Sequence, residues 1–192
     1  MTIHHQLLSN RLNSIVGFDD ATLAILLKLF KLKQFEKGYH YAKMGEYSRK
    51  MGFVINGILR AYHNTSTGEY YNKTFFKEGL FVGAYSSLVT GQRNFIHIQC
   101  LTDVTLLEAH YSDVVALFDD YPKVERFARI LAEQYFVSKE KREIELVTLN
   151  ATERYELFCK NNPDIEQRIP QYHIASFIGV TPTQLSRIRA KK

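Results

Sequence analysis

The chain of 192 residues has only two cysteines, no tryptophan and no long apolar run. Cys100 and Cys159 lie far apart and match no CxxC or zinc-ligand spacing, so we expect neither a disulfide framework nor a metal site. The longest apolar stretch, Ala21–Phe30, is interrupted by Lys28 and is too short to span a bilayer. We recognise no secretion signal at the N-terminus. These absences predict a soluble, cytoplasmic protein without a membrane partner.

Acidic residues are missing from the last part of the chain. Arg168–Lys192 contains five of the 25 Lys and Arg residues and no Asp or Glu, which leaves 20 basic residues to balance 20 acidic ones elsewhere. The whole formal excess of +5 therefore lies at one end. A neutral body with a basic tip favours a polyanionic partner that binds at the tip. A solvated basic terminus would give the same count, so the pattern of residues has to decide between the two.

Short segments rich in Tyr, Phe, Ile and Val fill residues 34–109 and are typical of β-strands. Turns that contain glycine separate them, and segments at this spacing predict an antiparallel barrel or roll. NTSTGEY, residues 64–70, predicts a hairpin in which Gly68 supplies a positive φ. The segments are YHYAK (39–43), MGFVIN (51–56), ILRAYHN (58–64), YYNKTFF (70–76), FIHIQC (95–100) and VTLLEA (104–109).

Helical patterns lie on both sides of the strands. We expect a short helix over Ala21–Lys33, a second short helix with Ser112 as its N-cap, and a long helix that begins at Pro122. Apolar residues of the long helix recur at helical spacing and predict a narrow stripe, which suits a seam between two subunits. Packing against the chain's own strands would explain the stripe nearly as well. The stripe consists of Val124, Phe127, Ala128, Leu131 and Tyr135.

The final segment has the pattern of two short helices joined by a glycine turn. Pro170 suits the first turn of one helix, and Gly179 suits its end as a residue with positive φ. Thr181 is the expected N-cap of the second helix, where Pro182 takes the first position and Gln184 completes a capping box. This is the pattern of a helix-turn-helix.

The second of these helices is predicted to present a polar and basic face, because Leu185 and Ile188 point back to the core. On that face Arg187 is suited to guanine and Gln184 to adenine in the major groove. The N–H groups at 181–183 are suited to a phosphate, and the other cations to salt-sensitive phosphate attraction. We therefore predict double-stranded DNA as the partner. The candidate DNA-binding residues are Thr181, Thr183, Gln184, Ser186, Arg187, Arg189, Lys191 and Lys192.

The order of roll, long helix and helix-turn-helix resembles the Crp/Fnr transcription regulators, the group of the cyclic-AMP receptor protein. FFKEGLFVGAYSSL (75–88) is similar to the approach to that family's phosphate-binding cassette. IASFIGVTPTQLSRIR (174–189) is similar to its helix-turn-helix, with Arg187 at the recognition-helix arginine. The glycines that look like the turn glycines of the roll are Gly45, Gly57, Gly68, Gly79 and Gly83.

The resemblance implies an α+β fold in three parts. Residues 1–120 would form an antiparallel β-roll sensor, a cyclic-nucleotide-binding-like jelly roll with flanking helices. Residues 121–150 would form a long dimerisation helix, and residues 151–192 a small helix-turn-helix domain. The function implied is that of a homodimeric transcription regulator. An unknown small-molecule effector and a contact with RNA polymerase are left open.

The cassette departs from the pattern of the family's cyclic-nucleotide binders. In those proteins a Gly-Glu pair holds the ribose 2′-hydroxyl, and an Arg-Ser or Arg-Thr pair holds the cyclic phosphate. Here Ala84 follows Gly83, and Asn94-Phe95 stand at the second pair. Arg93 lies one residue too early, and a one-residue shift would turn it to the other face of a strand. Because a charge-assisted phosphate contact is lost, we expect a pocket that does not bind cyclic AMP. Its candidate residues are Gly83, Ala84, Tyr85, Ser86, Arg93, Asn94 and Phe95.

The DNA-binding end also departs from the family pattern. Relatives usually continue past the recognition helix into a two-stranded wing, whereas this chain reaches Lys192 directly after the helix. Pro182 stands where many relatives carry a base-contacting arginine. We expect a domain without a wing that binds DNA more weakly than a winged relative.

Other chemistries lack the residues that they require. Two distant cysteines cannot hold an iron–sulfur cluster, and His97 and His110 are lone strand histidines, a weak signal for haem ligation. The sequence has no paired HxH with a downstream Glu, as a metal-binding cupin would need, and no set of nucleophile, base and orienting residue. We therefore expect no enzyme activity and no cofactor. The rival interpretation is a ligand-sensing roll that has lost DNA binding.

Overall fold

The computed structural model describes residues 2–64 and 70–190. The chain divides into two compact units, one formed by residues 1–61 with 75–134 and the other by residues 62–74 with 135–192. The division passes through two strands and the long helix. The predicted hairpin turn at Gly68, like Lys191 and Lys192, lies outside the described residues.

The strands overlap all six predicted segments and add two that the sequence did not predict. They are β1 (Lys31–Phe35), β2 (His40–Ala42), β3 (Lys50–Asn56), β4 (Leu59–Asn64), β5 (Tyr70–Phe76), β6 (Phe81–Val82), β7 (His97–Cys100) and β8 (Val104–His110). They form two four-stranded sheets with the orders β1-β8-β3-β6 and β2-β7-β4-β5. The pairings of β1 with β8, β2 with β7 and β3 with β6 and β8 are antiparallel, as a roll requires.

Strand β8 shows how the first unit builds two apolar layers. Successive residues of a strand face opposite sides, so neighbouring leucines enter different clusters. Leu106 packs inside the roll with Val54 and Ile98. Leu107 packs on the other side, in the cluster that contains Leu8 of the N-terminal helix. All of these side chains are fully buried, and each such burial contributes about 1.5–3 kcal/mol relative to an exposed side chain.

The helices of the first unit correct two boundaries that the sequence predicted. They are α1 (Ile3–Ile15), α2 (Asp20–Leu29), α3 (Tyr85–Thr90) and α4 (Tyr111–Val115). The helix predicted over Ala21–Lys33 ends four residues early, because Lys31 already pairs with Glu108 in the β1–β8 ladder. Ser112 is not an N-cap, since α4 begins at Tyr111 with His110 in the cap position.

The long helix α5 (Pro122–Thr148) begins at the predicted proline and spans 27 residues. Val124 and Phe127 are 0% and 4% exposed, because they pack in the apolar cluster beneath α1 and α2. Leu131 is half-buried against the same cluster. Further along, Tyr135 is 40% exposed. The first part of the stripe is thus covered within the chain.

The second unit contains the C-terminal helices α6 (Ala151–Asn161), α7 (Ile165–Arg168), α8 (Gln171–Ile178) and α9 (Pro182–Arg189). Asn150 caps α6 and forms a capping box with Glu153, which the sequence analysis did not predict. The apolar residues that α8 and α9 bury are Ile174, Ala175, Ile178 and Leu185. The predicted α+β architecture, with antiparallel sheets, a long helix and a small helical C-terminal part, is confirmed.

Candidate DNA-binding surface and effector cassette

The turn between α8 and α9 is built as the sequence predicted. Gly179 lies in the left-handed region with φ 71°, and the Val180 N–H donates to the Ala175 carbonyl at 3.0 Å. The Gln184 N–H donates to Thr181 Oγ1 at 3.2 Å, and the Thr181 N–H donates back to Gln184 Oε1 at 2.9 Å. These two bonds form a capping box, with Pro182 at the first helical position. The glycine and the box together fix where α9 begins.

Helix α9 buries one side and exposes the other. Leu185 is 1% exposed, and Ile188 is half-buried. The predicted DNA-binding residues among those described are all exposed to solvent. They are Thr181, Thr183, Gln184, Ser186, Arg187 and Arg189.

The capping box restricts what two of these residues can offer to a ligand. Gln184 uses its amide oxygen within the box, so a bidentate adenine contact would require the box to open. The Thr181 N–H is likewise occupied, and Pro182 has no N–H. Of the three residues 181–183, Thr183 is therefore left with a backbone N–H that has no acceptor within the described part of the chain.

The two arginines of α9 differ in their surroundings. Arg189 Nε lies 3.2 Å from Glu166 Oε1 on α7. Glu166 also accepts from the Tyr155 hydroxyl and, at 3.4 Å, from the Cys159 thiol. Burial, followed by the hydrogen bond to Glu166, raises the pKa of Tyr155. Arg187 is exposed and has no ion-pair partner among residues 2–64 and 70–190, so its guanidinium is available to a ligand.

Two arginines that the sequence analysis missed bind the carbonyls at the end of α8. Arg154 Nε donates to the Ile178 carbonyl at 2.8 Å, and its Nη1 donates to the carbonyls of Leu149 and Leu146 at 2.8 and 3.2 Å. Arg142 donates to the Phe177 carbonyl, and its guanidinium lies 3.5 Å from the centroid of the Phe177 ring. These bonds attach α8 to the ends of α5 and α6. Neither arginine belongs to a periodic pattern, so no sequence signal marked them.

The β5 segment of the second unit also contacts α8. Asn72 is fully buried, and its side-chain amide donates to the His173 carbonyl at 2.9 Å. The Asn72 N–H donates to Ser176 Oγ at 3.0 Å, and that hydroxyl donates to the Tyr70 carbonyl at 2.8 Å. The first helix of the helix-turn-helix is thus bonded to a strand that was predicted as part of the sensor.

The first half of the predicted effector cassette forms the start of α3. Ala84 is 0% exposed and takes the N-cap position, whereas Tyr85 is 55% exposed and Ser86 is exposed. Gly83 packs closely, because an added Cβ would lie 3.0 Å from Leu88 Cδ1. The alanine therefore places a methyl group, rather than a carboxylate, in a tightly packed position.

The second half of the cassette is bonded to the loop between β2 and β3. Asn94 is 3% exposed; its N–H donates to the Glu46 carbonyl at 2.8 Å, and its carbonyl accepts from the Gly45 N–H at 2.9 Å. Arg93 donates to the Gly45 carbonyl at 2.8 Å and lies 5.1 Å from the Tyr47 ring centroid. Phe95 is 62% exposed.

The Asn94 side chain carries no charge that could neutralise a phosphate. Its Nδ2 donates to the Lys43 carbonyl at 3.3 Å. Its buried Oδ1 has no hydrogen-bond partner among the described residues. That oxygen is an acceptor, so it would repel an anionic oxygen rather than bind one.

Residues 32–121 match the family model described as the Cyclic nucleotide-binding domain. These residues are therefore similar to the domains of that family. Ala84 and Asn94, the positions that the resemblance assigns to the ribose and the phosphate, lie within the matched residues and are uncharged. No curated protein is similar enough in sequence to be matched to the chain.

Three solved structures are similar in fold over most of the chain. FixK2 from Bradyrhizobium japonicum is 16% identical with a TM-score of 0.75, over 84% of this chain and 83% of that one. CLP from Xanthomonas campestris is 15% identical with a TM-score of 0.72, over 90% and 91%. A protein from Eubacterium rectale, assigned to the Crp/Fnr family of transcriptional regulators, is 14% identical with a TM-score of 0.71, over 91% and 83%. The predicted resemblance to Crp/Fnr regulators is confirmed at the level of fold.

Two features are absent from the described residues. No helix there is long and apolar enough to cross a membrane. No group of three or more His, Cys, Asp or Glu side chains in those residues is arranged to hold a metal ion.

Replacement of Arg154 by methionine tests the attachment of α8. Arg154→Met keeps much of the side-chain volume but leaves the carbonyls of Leu146, Leu149 and Ile178 without their donor. We expect the free energy of unfolding, measured in urea, to fall by about 2 kcal/mol or more. The control is Arg129→Met, which breaks an exposed ion pair with Glu133 and should cost about 0.5 kcal/mol or less. Equal losses in the two variants would contradict the role of Arg154.

Proposed function

We propose that the chain is a cytoplasmic transcription regulator of the Crp/Fnr type that binds double-stranded DNA through α9. The proposal rests above all on Arg187, which is an exposed cation without an ionic partner among the described residues. It lies on a capped helix whose opposite side is buried. In a helix-turn-helix this is the helix that enters the major groove. The proposal divides the chain into a sensor (1–120), a linking helix (121–150) and a DNA-binding domain (151–192).

The proposed assignments on α9 follow from which groups are available. Arg187 would make a bidentate contact to guanine, the most common base-specific contact of arginine. Thr183 and Ser186 would contact neighbouring groups on the same side, and the Thr183 N–H would donate to a phosphate. Gln184 would contribute its amide NH₂ while its oxygen stays in the capping box. Arg189 would contribute less than its charge suggests, because Glu166 pairs with it. Lys191 and Lys192 would add phosphate attraction.

We further propose that two copies associate through the exposed part of α5. Val137 and Ile144 are 45% and 57% exposed and lie at heptad spacing, and Val147 is 87% exposed one turn beyond Ile144. β-Branched residues at one heptad position are typical of two-stranded coiled coils. Of the predicted seam, Tyr135 lies two positions before Val137, about 200° around the helix axis, so it would not join this surface. Val124, Phe127 and Leu131 serve intrachain packing. A two-fold dimer would then read half-sites about one helical turn, ~34 Å, apart.

For the cassette we propose that it does not bind cyclic AMP. CLP is described as a c-di-GMP-responsive regulator, so ligands with phosphate groups act on this fold in at least one relative. In this chain the buried Asn94 offers an unpartnered acceptor, and the Arg93 guanidinium is bonded to Gly45. Neither arrangement favours a buried phosphate.

The rival function is a sensor that does not bind DNA. The regulator and the sensor differ in how salt affects binding to duplex DNA. A protein that binds DNA releases counterions, so the logarithm of its association constant falls linearly with the logarithm of the salt concentration. Retention of genomic fragments that is absent even at low salt would favour the rival. Enrichment of a two-fold symmetric sequence from random duplexes would favour the regulator.

Arg187→Ala tests the base contact. We expect affinity for the enriched sequence to fall by about 10- to 100-fold, while affinity for an unrelated duplex changes much less, because a base contact carries the discrimination. Titrations of both duplexes at fixed salt measure the ratio. Arg126→Ala, which removes an exposed arginine from α5, is the control and should leave the ratio unchanged. A variant of Arg187 that retains full discrimination would refute the assignment.

Calorimetry with cyclic AMP tests the cassette. We expect no saturable heat at millimolar nucleotide, because the cassette replaces the carboxylate and the guanidinium that the nucleotide requires with Ala84 and Asn94. Micromolar binding would show that another cation reaches the phosphate and would overturn the proposal.

Ile144→Glu tests the dimer surface. Carboxylates placed opposite each other in an apolar seam repel and lose hydration, so we expect the dimer to dissociate at least about tenfold more readily. Sedimentation equilibrium measures the change, and circular dichroism verifies that the helix persists. Ile3→Glu, on the exposed side of α1 (74% exposed), is the matched control. If both variants associate like the unmodified protein, the seam lies elsewhere.

A further inference from the structure

A cavity of about 190 Å³ opens in the first unit, away from the cassette. Strands β1, β3 and β8 form one side of it, and β2 with the turn before it forms the other. None of its residues belongs to the cassette at 83–95. Its lining consists of Lys33, Phe35, Tyr39, Tyr41, Lys50 and Glu108.

Three aromatic rings form the apolar part of this cavity. Phe35 and Tyr39 stack with centroids 4.7 Å apart and planes inclined by 21°. Tyr41 meets Phe35 edge-on, with centroids 5.7 Å apart and planes inclined by 75°. Ring faces and edges in this arrangement favour another flat ring over a flexible chain, because offset and edge-to-face contacts add to the burial of area.

The charged residues leave the cavity positive. Lys50 Nζ lies 2.8 Å from Glu108 Oε2, and Glu108 is only 7% exposed, so these two charges neutralise each other. Lys33 is exposed and has no ion-pair partner within the described part of the chain. The net charge of the lining residues is therefore that of one lysine, which favours an anion.

Tyr41 contributes a buried polar group to the cavity wall. Its hydroxyl lies close to the Glu108 carboxylate, but the hydroxyl oxygen makes no hydrogen bond of ordinary geometry among the described residues. Burial, followed by the nearby Glu108 carboxylate, raises the pKa of Tyr41, so the hydroxyl remains protonated. Buried polar groups are rarely left unpaired, and a ligand oxygen in the cavity would supply the missing partner.

We propose that this cavity binds a small planar aromatic carboxylate. The ring would lie against Phe35 and Tyr39, the carboxylate would meet the ammonium group of Lys33, and an oxygen would approach the hydroxyl of Tyr41. The size agrees, because a dry cavity of about 150 Å³ holds benzene and this one adds room for one substituent. The volume is below the ~300 Å³ at which pockets for drug-sized ligands begin, so a ligand with a single ring fits better than a nucleotide. The proposal does not depend on DNA binding.

Titration of the full-length protein with benzoate, followed by two-dimensional amide NMR, tests the site. We expect saturable shifts confined to β1, β2 and their neighbours, with a dissociation constant of roughly 0.1–1 mM for so small a ligand. Cyclohexanecarboxylate keeps the charge without the aromatic ring, and benzamide keeps the ring without the charge. Each should bind at least about fivefold more weakly than benzoate. Inorganic phosphate that binds as tightly as benzoate would reveal a general anion site and overturn the aromatic assignment.

Two variants identify the recognising groups. Lys33→Gln should weaken benzoate binding by about tenfold, because it removes the unpaired cation. Tyr41→Phe keeps the ring and should weaken binding by about fivefold through the lost hydroxyl. Lys37→Gln removes an exposed lysine that does not line the cavity, and it should have no effect. Benzoate shifts that map elsewhere, or equal affinities in the Lys33 and Lys37 variants, would refute the proposal.

Discussion

The bonds from Arg154 to the carbonyls of Leu146, Leu149 and Ile178 are the constraint on which the C-terminal part of the molecule depends. The last carbonyls of a helix have no partner within the helix, and a guanidinium can serve several of them at once because its donors diverge in a plane. One side chain therefore joins the ends of α5 and α8 to α6. The Gly179 turn begins directly after α8, so the direction of α9 follows from where that end is held. The bonds of Arg154 to the end of α8 therefore help to determine which face of α9 is exposed.

The candidate effector cassette is held in place by internal hydrogen bonds. By the resemblance to the nucleotide binders, Asn94 corresponds to their arginine, and its backbone and side chain bond to Lys43, Gly45 and Glu46 of the neighbouring loop. Arg93 adds a further bond to Gly45. Together these contacts hold the loop against the cassette without a ligand. The charge that would recruit a phosphate is absent, and a set of internal hydrogen bonds holds the segment in place.

Much of the fold could be predicted because the spacing of apolar and turn residues in the sequence matches the elements that pack in the structure. The segment YYNKTFF coincides with β5, and the α8–turn–α9 unit follows the predicted glycine and capping box. Strand β1 was missed because KLKQF is mostly polar, and only its pairing with β8 makes it a strand. The stripe on α5 was interpreted as a subunit seam because periodicity locates an apolar face without showing what covers it. Arg142, Arg154 and Asn72 could not be predicted, since a hydrogen bond between a side chain and a distant carbonyl leaves no periodic trace.

The number of basic residues on α9 overstates its positive potential, because one of its two arginines pairs with a carboxylate. Arg187 and Arg189 are chemically identical and lie two positions apart, which on a helix separates them by more than half a turn around the axis. One therefore points away from the protein, while the other reaches Glu166. An ion pair at this partly exposed position is weak, but Arg189 would still have to give up Glu166 before it could pair with a phosphate. Arg187 has no ion pair to give up among the described residues. Under the proposed function, sequence discrimination would therefore concentrate in Arg187, whereas Arg189 links α9 to α7 through Glu166.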